Sequence, residues 1–174
     1  CLRTIHKLAQ DEAYIMIDIL SILEQNSRAT PEEIAVMTGL DPDDVRQIIE
    51  KAEQSKTILK YKTIVNWDEL GNGKVLAMIE VRVAPQRDVG FDSVARRIAR
   101  FPEVRSLYLV SGGYDLSVLL EGDTMQEVAN FVAMKLAALE EVNSTATHFL
   151  LKRYKEDGEI LSPEDKIKRL PLSP

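Results

Sequence analysis

The chain has 174 residues, 45% of them hydrophobic and 29% charged, which suits one large or two small domains with real cores and excludes a disordered tail or a coiled-coil rod. Its one cysteine, Cys1, excludes an intrachain disulfide framework, a CxxC redox pair and a cysteine-rich zinc site. With 22 basic against 28 acidic side chains the net charge is −6, so any affinity for phosphate backbones must rest on local geometry.

Ile5, Leu8, Ile15, Met16, Ile19, Leu20 and Leu23 recur at three- and four-residue steps and predict a long amphipathic helix over residues 3–25, ended by Asn26 and Ser27. A second helix opens at Thr30-Pro31-Glu32-Glu33, a capping box with proline in the first turn, and stops at Gly39. A third repeats the grammar. Asp41 caps it, Pro42 follows, Asp43 and Asp44 suit the positive end of the helix dipole, and Val45, Ile48, Ile49 and Ala52 form the inward stripe. Residues 58–66 read as extended, and Gly71-Asn72-Gly73 marks a seam.

Beyond the seam the apolar spacing changes. Val75, Ala77, Ile79, Val81 and Val83 alternate with Lys74, Leu76, Met78, Glu80 and Arg82, a strand over 74–84 whose second face is only partly polar. A helix over 91–101, strands over 104–110 and 115–120 joined through Ser111-Gly112-Gly113, a helix over 124–139 and a strand over 144–151 complete β-α-β-β-α-β, the ferredoxin-like split motif. The domains are therefore expected at 1–66 and 74–155, with a linker at 67–73 and a C-terminal extension at 156–174. The tail after Tyr154, with Pro163, Pro171 and Pro174, reads as loosely attached, with a short helix capped at Ser162.

The second and third predicted helices carry the functional signal. A helix-turn-helix needs a small residue where its helices cross, a glycine able to take positive φ in the turn, and β-branched residues facing back from the second helix. Ala35, Gly39, Val45 and Ile48 stand in those places, which favours a DNA-binding domain over a bland helical bundle. On DNA the third helix would enter the major groove, with Arg46 reading guanine, Gln47 reading adenine, and Lys51, Lys56 and Lys60, alongside Arg28 and Lys62, meeting phosphates. Helix capping is the better reading for Asp43 and Asp44, since residues 1–66 hold eight basic against eleven acidic side chains, a net of −3.

With Ile58-Leu59-Lys60-Tyr61-Lys62-Thr63-Ile64-Val65-Asn66 between the halves, and Phe101-Pro102-Glu103-Val104 leading to Val110-Ser111-Gly112-Gly113-Tyr114-Asp115, the chain over residues 10–155 resembles the Lrp/AsnC (leucine-responsive, or feast/famine) transcription regulators. The resemblance implies an α+β chain, an N-terminal winged helix-turn-helix followed by a C-terminal ferredoxin-like βαββαβ effector and oligomerisation domain. It implies a small-ligand site between subunits containing Gly113, Tyr114 and Asp115, with Thr145 and Thr147 on the last strand nearby. The chemistry agrees: Asp115 can pair an amino-acid ammonium, and amides of a glycine turn can receive its carboxylate. The alternative is a tight hairpin in which Asp115 bonds only its own turn. The chain departs from the usual family pattern at Asp43-Asp44, where Ser, Thr and basic residues are common, and at Ser55-Lys56-Thr57, where a glycine commonly precedes the wing.

An enzyme is the second class, since the same plan resembles Lrp-like decarboxylases of haem biosynthesis. His6 and His148 are the only histidines, too few for a proton-transfer or metal cluster, and no GxSxG, P-loop, HExxH or dinucleotide fingerprint occurs. A ligand-gated interaction module without DNA is the third. The expectation is a non-enzymatic regulator with no metal or cofactor beyond an amino-acid effector. Its partners are double-stranded DNA, a small-molecule effector and further copies of itself, as dimers that the family commonly assembles four to a disc, and no membrane. No apolar run approaches the roughly 20 residues that cross a bilayer, and no signal peptide is legible, so the expected location is the cytoplasm.

Overall fold

The computed structural model describes the backbone of residues 2–71, 73–84 and 90–161, and the side chains of these residues other than 2–12 and 68. The chain divides into two compact units, Cys1–Ile64 and Val65–Pro174.

The first unit holds α1 (Leu2–Gln25), α2 (Pro31–Thr38) and α3 (Pro42–Gln54). Thr30 caps α2: its hydroxyl accepts from the Glu33 amide at 3.2 Å while Glu33 Oε2 accepts from the Thr30 amide at 2.9 Å. Gly39 closes the helix at φ +73°, a left-handed conformation in which its N–H reaches the Ala35 carbonyl at 2.8 Å. Asp41 then opens α3 by accepting from the Asp43 amide at 2.8 Å. Ile19, Leu23, Ile34, Ala35 and Val45 form the core, with Ile48 and Ile49 packed against it.

The second unit is built on β1 (Val75–Val83), α4 (Asp92–Ile98), β2 (Val104–Leu109), β3 (Leu116–Gly122), α5 (Met125–Phe131) and β4 (Val142–Phe149). The sheet runs β2-β3-β1-β4 with every neighbouring pair antiparallel, the ferredoxin-like order. Ala77, Ile79 and Val81 of β1 face Leu120, Val118 and Leu116 of β3, and these side chains are buried beneath Val94 and Ile98 of α4 and Val128 and Phe131 of α5. Met78, Glu80 and Arg82 point to the other face, opposite His148, Ala146 and Ser144 of β4.

Three expectations change. The predicted helix over 124–139 is α-helical only to Phe131 and continues as a π turn over Val132–Leu136, with the Ala137 amide donating to the Val132 carbonyl at 2.8 Å. The wider turn brings Leu136 to the core in place of Lys135, which points outward. The last strand begins and ends about two residues earlier than its alternation predicts, and at its start a register shift at Arg82/Val83 lets Val142 pair with Val83. The tail is not loose over 155–161: β5 (Lys155–Glu156) and β6 (Glu159–Ile160) form a hairpin turning at Asp157 and Gly158, both at positive φ. Leu161 is then buried, and its carbonyl accepts from the Asn66 side chain at 2.8 Å. The helix expected at Ser162 lies outside the described residues.

Candidate functional site

α3 turns Val45 and Ala52 fully inward and leaves Arg46, Gln47 and Lys51 on its exposed side. Arg46 is not a free cation. Its Nη2 donates to Glu32 Oε1 of α2 at 2.8 Å and its Nη1 pairs with Asp43 one turn back along α3. Sequence reasoning treated Asp43 as dipole compensation and passed over Glu32, which stands fourteen residues from Arg46 and meets it only because Gly39 folds α3 back on α2.

Lys56 and Lys60 follow α3 on the surface. Lys56 has φ +60°, and this left-handed residue turns the chain so that the amides of Thr57 and Ile58 both reach the Ala52 carbonyl, at 2.9 and 3.0 Å. It occupies the conformation that a glycine adopts without cost. Tyr61 hydrogen-bonds Glu53 Oε1 at 2.9 Å, and partial burial together with that carboxylate raises its hydroxyl pKa above the ordinary tyrosine value.

In the second unit, Gly113, Tyr114 and Asp115 form the end of the β2–β3 hairpin. The Asp115 amide donates to the Val81 carbonyl at 3.0 Å and its Oδ2 accepts from the Val83 amide at 2.8 Å, beside the β1 register shift. One carboxylate oxygen therefore satisfies a backbone donor that the irregular ladder leaves over. Thr145 pairs across β1 with Val81 and Thr147 with Ile79, so both threonines lie beyond β1 from the hairpin, on the helix-bearing side of the edge strand. The fold thus brings the turn and the threonine strand to one end of the sheet, about two strand spacings or ~10 Å apart. Thr145 is half-buried, Thr147 and Gly113 are exposed, and Tyr114 and Asp115 are half-buried.

A groove of about 530 Å³ lies at the other end of β3, lined by Lys74, Glu103, Leu120, Asp123, Phe131 and Lys135 among others. Its charges are mutually engaged. Lys74 pairs with Asp123, and Lys135 pairs with Glu103 at 2.5 Å while lying 5.5 Å from the Phe131 ring centroid. The Lys135 hydrogen bond holds the Glu103 carboxyl below the usual glutamate range, and the Asp123 bond raises Lys74. Among the described residues no group of three or more His, Cys, Asp or Glu is placed to hold a metal ion, and no helix is long and apolar enough to cross a membrane. His148 faces Glu80 at 3.3 Å on the sheet face opposite the helices.

A capped helix-turn-helix in one unit and an α+β sheet in the other define a DNA-binding protein with an attached ferredoxin-like domain. Comparison with known proteins gives the same division: residues 13–58 match the winged helix-turn-helix DNA-binding model, and residues 76–160 match the Lrp/AsnC ligand binding domain. The chain is 50% identical over 158 residues to the uncharacterized HTH-type transcriptional regulator YugG of Bacillus subtilis, covering 90% of this chain and 95% of that protein. It is 30% identical over 142 residues to the HTH-type transcriptional regulator FL11 of Pyrococcus furiosus, covering 82% and 91%. Among solved structures it shares its fold with Escherichia coli AsnC, at 21% identity and TM-score 0.63 over 86% of this chain and 97% of that one. It shares it also with NMB0573 of Neisseria meningitidis in a complex with L-Met, at 23% identity and TM-score 0.64 over 82% and 91%. The chain belongs to the Lrp/AsnC family and is a DNA-binding transcriptional regulator.

Proposed function

We propose that the regulator docks α3 in the major groove, with Arg46, Gln47, Lys51, Lys56 and Lys60 contacting DNA, and that its second unit binds an amino acid or related metabolite at the Gly113–Asp115 turn. The observation that carries the reading is the convergence of that turn and the Thr145–Thr147 strand at one end of the sheet, with Asp115 fixed through one oxygen to the Val83 amide. An anchored carboxylate is oriented to pair an ammonium, and the L-Met complex of the Neisseria relative supports an amino acid as the class of effector.

The protein works as a homo-oligomer in the cytoplasm without catalysing a reaction. A single reading helix addresses a short half-site, and a two-fold pair doubles it. The open face of the sheet, where Met78 and Leu119 lie partly buried and Tyr108 is 60% exposed, supplies apolar area for a second copy. Effector binding acts as linkage, favouring one assembly over another. Anisotropy on DNA from upstream of its own gene, against a scrambled duplex at low and moderate salt, tests the docking: Arg46→Glu is expected to abolish the preference with oligomer size unchanged, and unchanged affinity would refute it. For the effector, a thermal shift induced by L-methionine is expected to vanish in Asp115→Ala; a preserved shift would put the ligand elsewhere.

A further inference from the structure

The outward face of α3 can be mapped from its buried residues. With Val45 and Ala52 fully buried and Ile48 and Ile49 partly buried, and each residue turning by about 100°, the side opposite the core is centred on Asp43, Gln47, Glu50 and Gln54. All four are exposed, and none is a cation. The helix's two cations flank this strip. Arg46 lies on the side toward α2, where it meets Glu32, and Lys51 lies on the other side, each about 70° from the centre line. Among the described residues the side chains of Gln47, Glu50 and Gln54 make no hydrogen bond or ion pair, so their side-chain oxygens are open to a partner in the groove.

Such a strip suits particular base edges. Carboxylates accept from the cytosine 4-amino group, glutamines take the 6-amino group and N7 of adenine, and neither makes the cationic contact that guanine attracts. A carboxylate in the groove is repelled by both phosphate walls, so it contributes only where an amino group meets it. The Asp43–Arg46 pair lowers that repulsion, because Arg46 neutralises one Asp43 oxygen and leaves the other to accept.

We propose that α3 reads its operator through hydrogen-bond acceptors, with Asp43 and Glu50 selecting cytosine amino groups and Arg46 and Lys51 holding the flanking phosphates. This rests on α3 being the docked helix and replaces a guanine contact by Arg46 with a positioning one.

Selection of the full-length protein against randomised duplexes at low salt, followed by anisotropy on the winner, tests it. Enriched half-sites carry cytosine at the central positions, and N4-methylcytosine there, which keeps pairing but removes the groove-facing N–H, weakens binding roughly 5- to 150-fold. Glu50→Ala, which leaves no side-chain oxygen to accept, removes that penalty at one position and raises affinity for a scrambled duplex, and Asp43→Ala does the same at another. Equal binding to the methylated duplex, or the same enriched sequence from both variants and the wild type, would overturn acceptor readout while leaving the docking intact. Failure of the wild type to enrich any duplex would overturn the docking and the readout together.

Discussion

Lys56 holds the left-handed conformation at the end of α3 with a full side chain, and this should be measurable as strain. An L-residue there costs about 1 kcal/mol relative to glycine. Lys56→Gly is therefore expected to stabilise the first unit by about that amount in urea denaturation and, by removing a cation, to weaken DNA binding. A loss of stability would mean that the Lys56 side chain makes a compensating contact. At this scale the sequence was partly legible. Gly39 could be placed in a turn because few other residues accept positive φ, and its observed φ of +73° agrees. Lys56 gave no such signal beyond its departure from the family's glycine, since nothing in a lysine's chemistry announces a left-handed backbone. The Arg46–Glu32 pair and the Asp115 bond to Val83 were illegible for a different reason: each joins residues that only the tertiary fold brings together.

At the scale of elements, local chemistry decided most of the outcome. The Thr30–Glu33 box and the Asp41 cap form where sequence spacing puts them, and the structure adds a third cap, Thr124, whose hydroxyl accepts from the Glu127 amide at 3.1 Å. Thr30→Ala leaves the Glu33 amide without its side-chain acceptor and is expected to cost about 1 kcal/mol in chemical denaturation. No loss would show that solvent replaces the hydroxyl. The π turn in the α5 region and the hairpin over residues 155–160 escaped the sequence reading. One-residue widening is set by which side chain the core admits, and two-residue strands carry too little alternation to be seen. One ion pair ties that hairpin to the sheet, Arg105 of β2 to Glu156, and it is flanked by Arg105 to Glu121 within the sheet and Arg153 to Glu156 within the tail. They join residues 51, 16 and 3 apart in sequence, so only the last was within reach of a local rule.

For the whole molecule, two separately packed cores mean that damage to one need not reach the other. Ile34 is fully buried in the first unit, and Ile34→Ala is expected to cost that unit about 2–5 kcal/mol. In calorimetry one transition should fall while the other stays in place; a single transition moving as a whole would show that the units melt together. The net charge of −6 adds a second consequence at this scale, since an acidic regulator gains little from long-range attraction and owes its residence on DNA to fit. The bond from the Asn66 side chain to the Leu161 carbonyl bears on how the second unit is moored. Asn66 is the second residue of that unit and Leu161 directly follows β6, so the start of the unit is fastened to the end of the small hairpin, like a bag closed by its own drawstring. Cutting the string after Tyr154 would unmoor the start of the unit, although no residue of the four-stranded sheet had been touched.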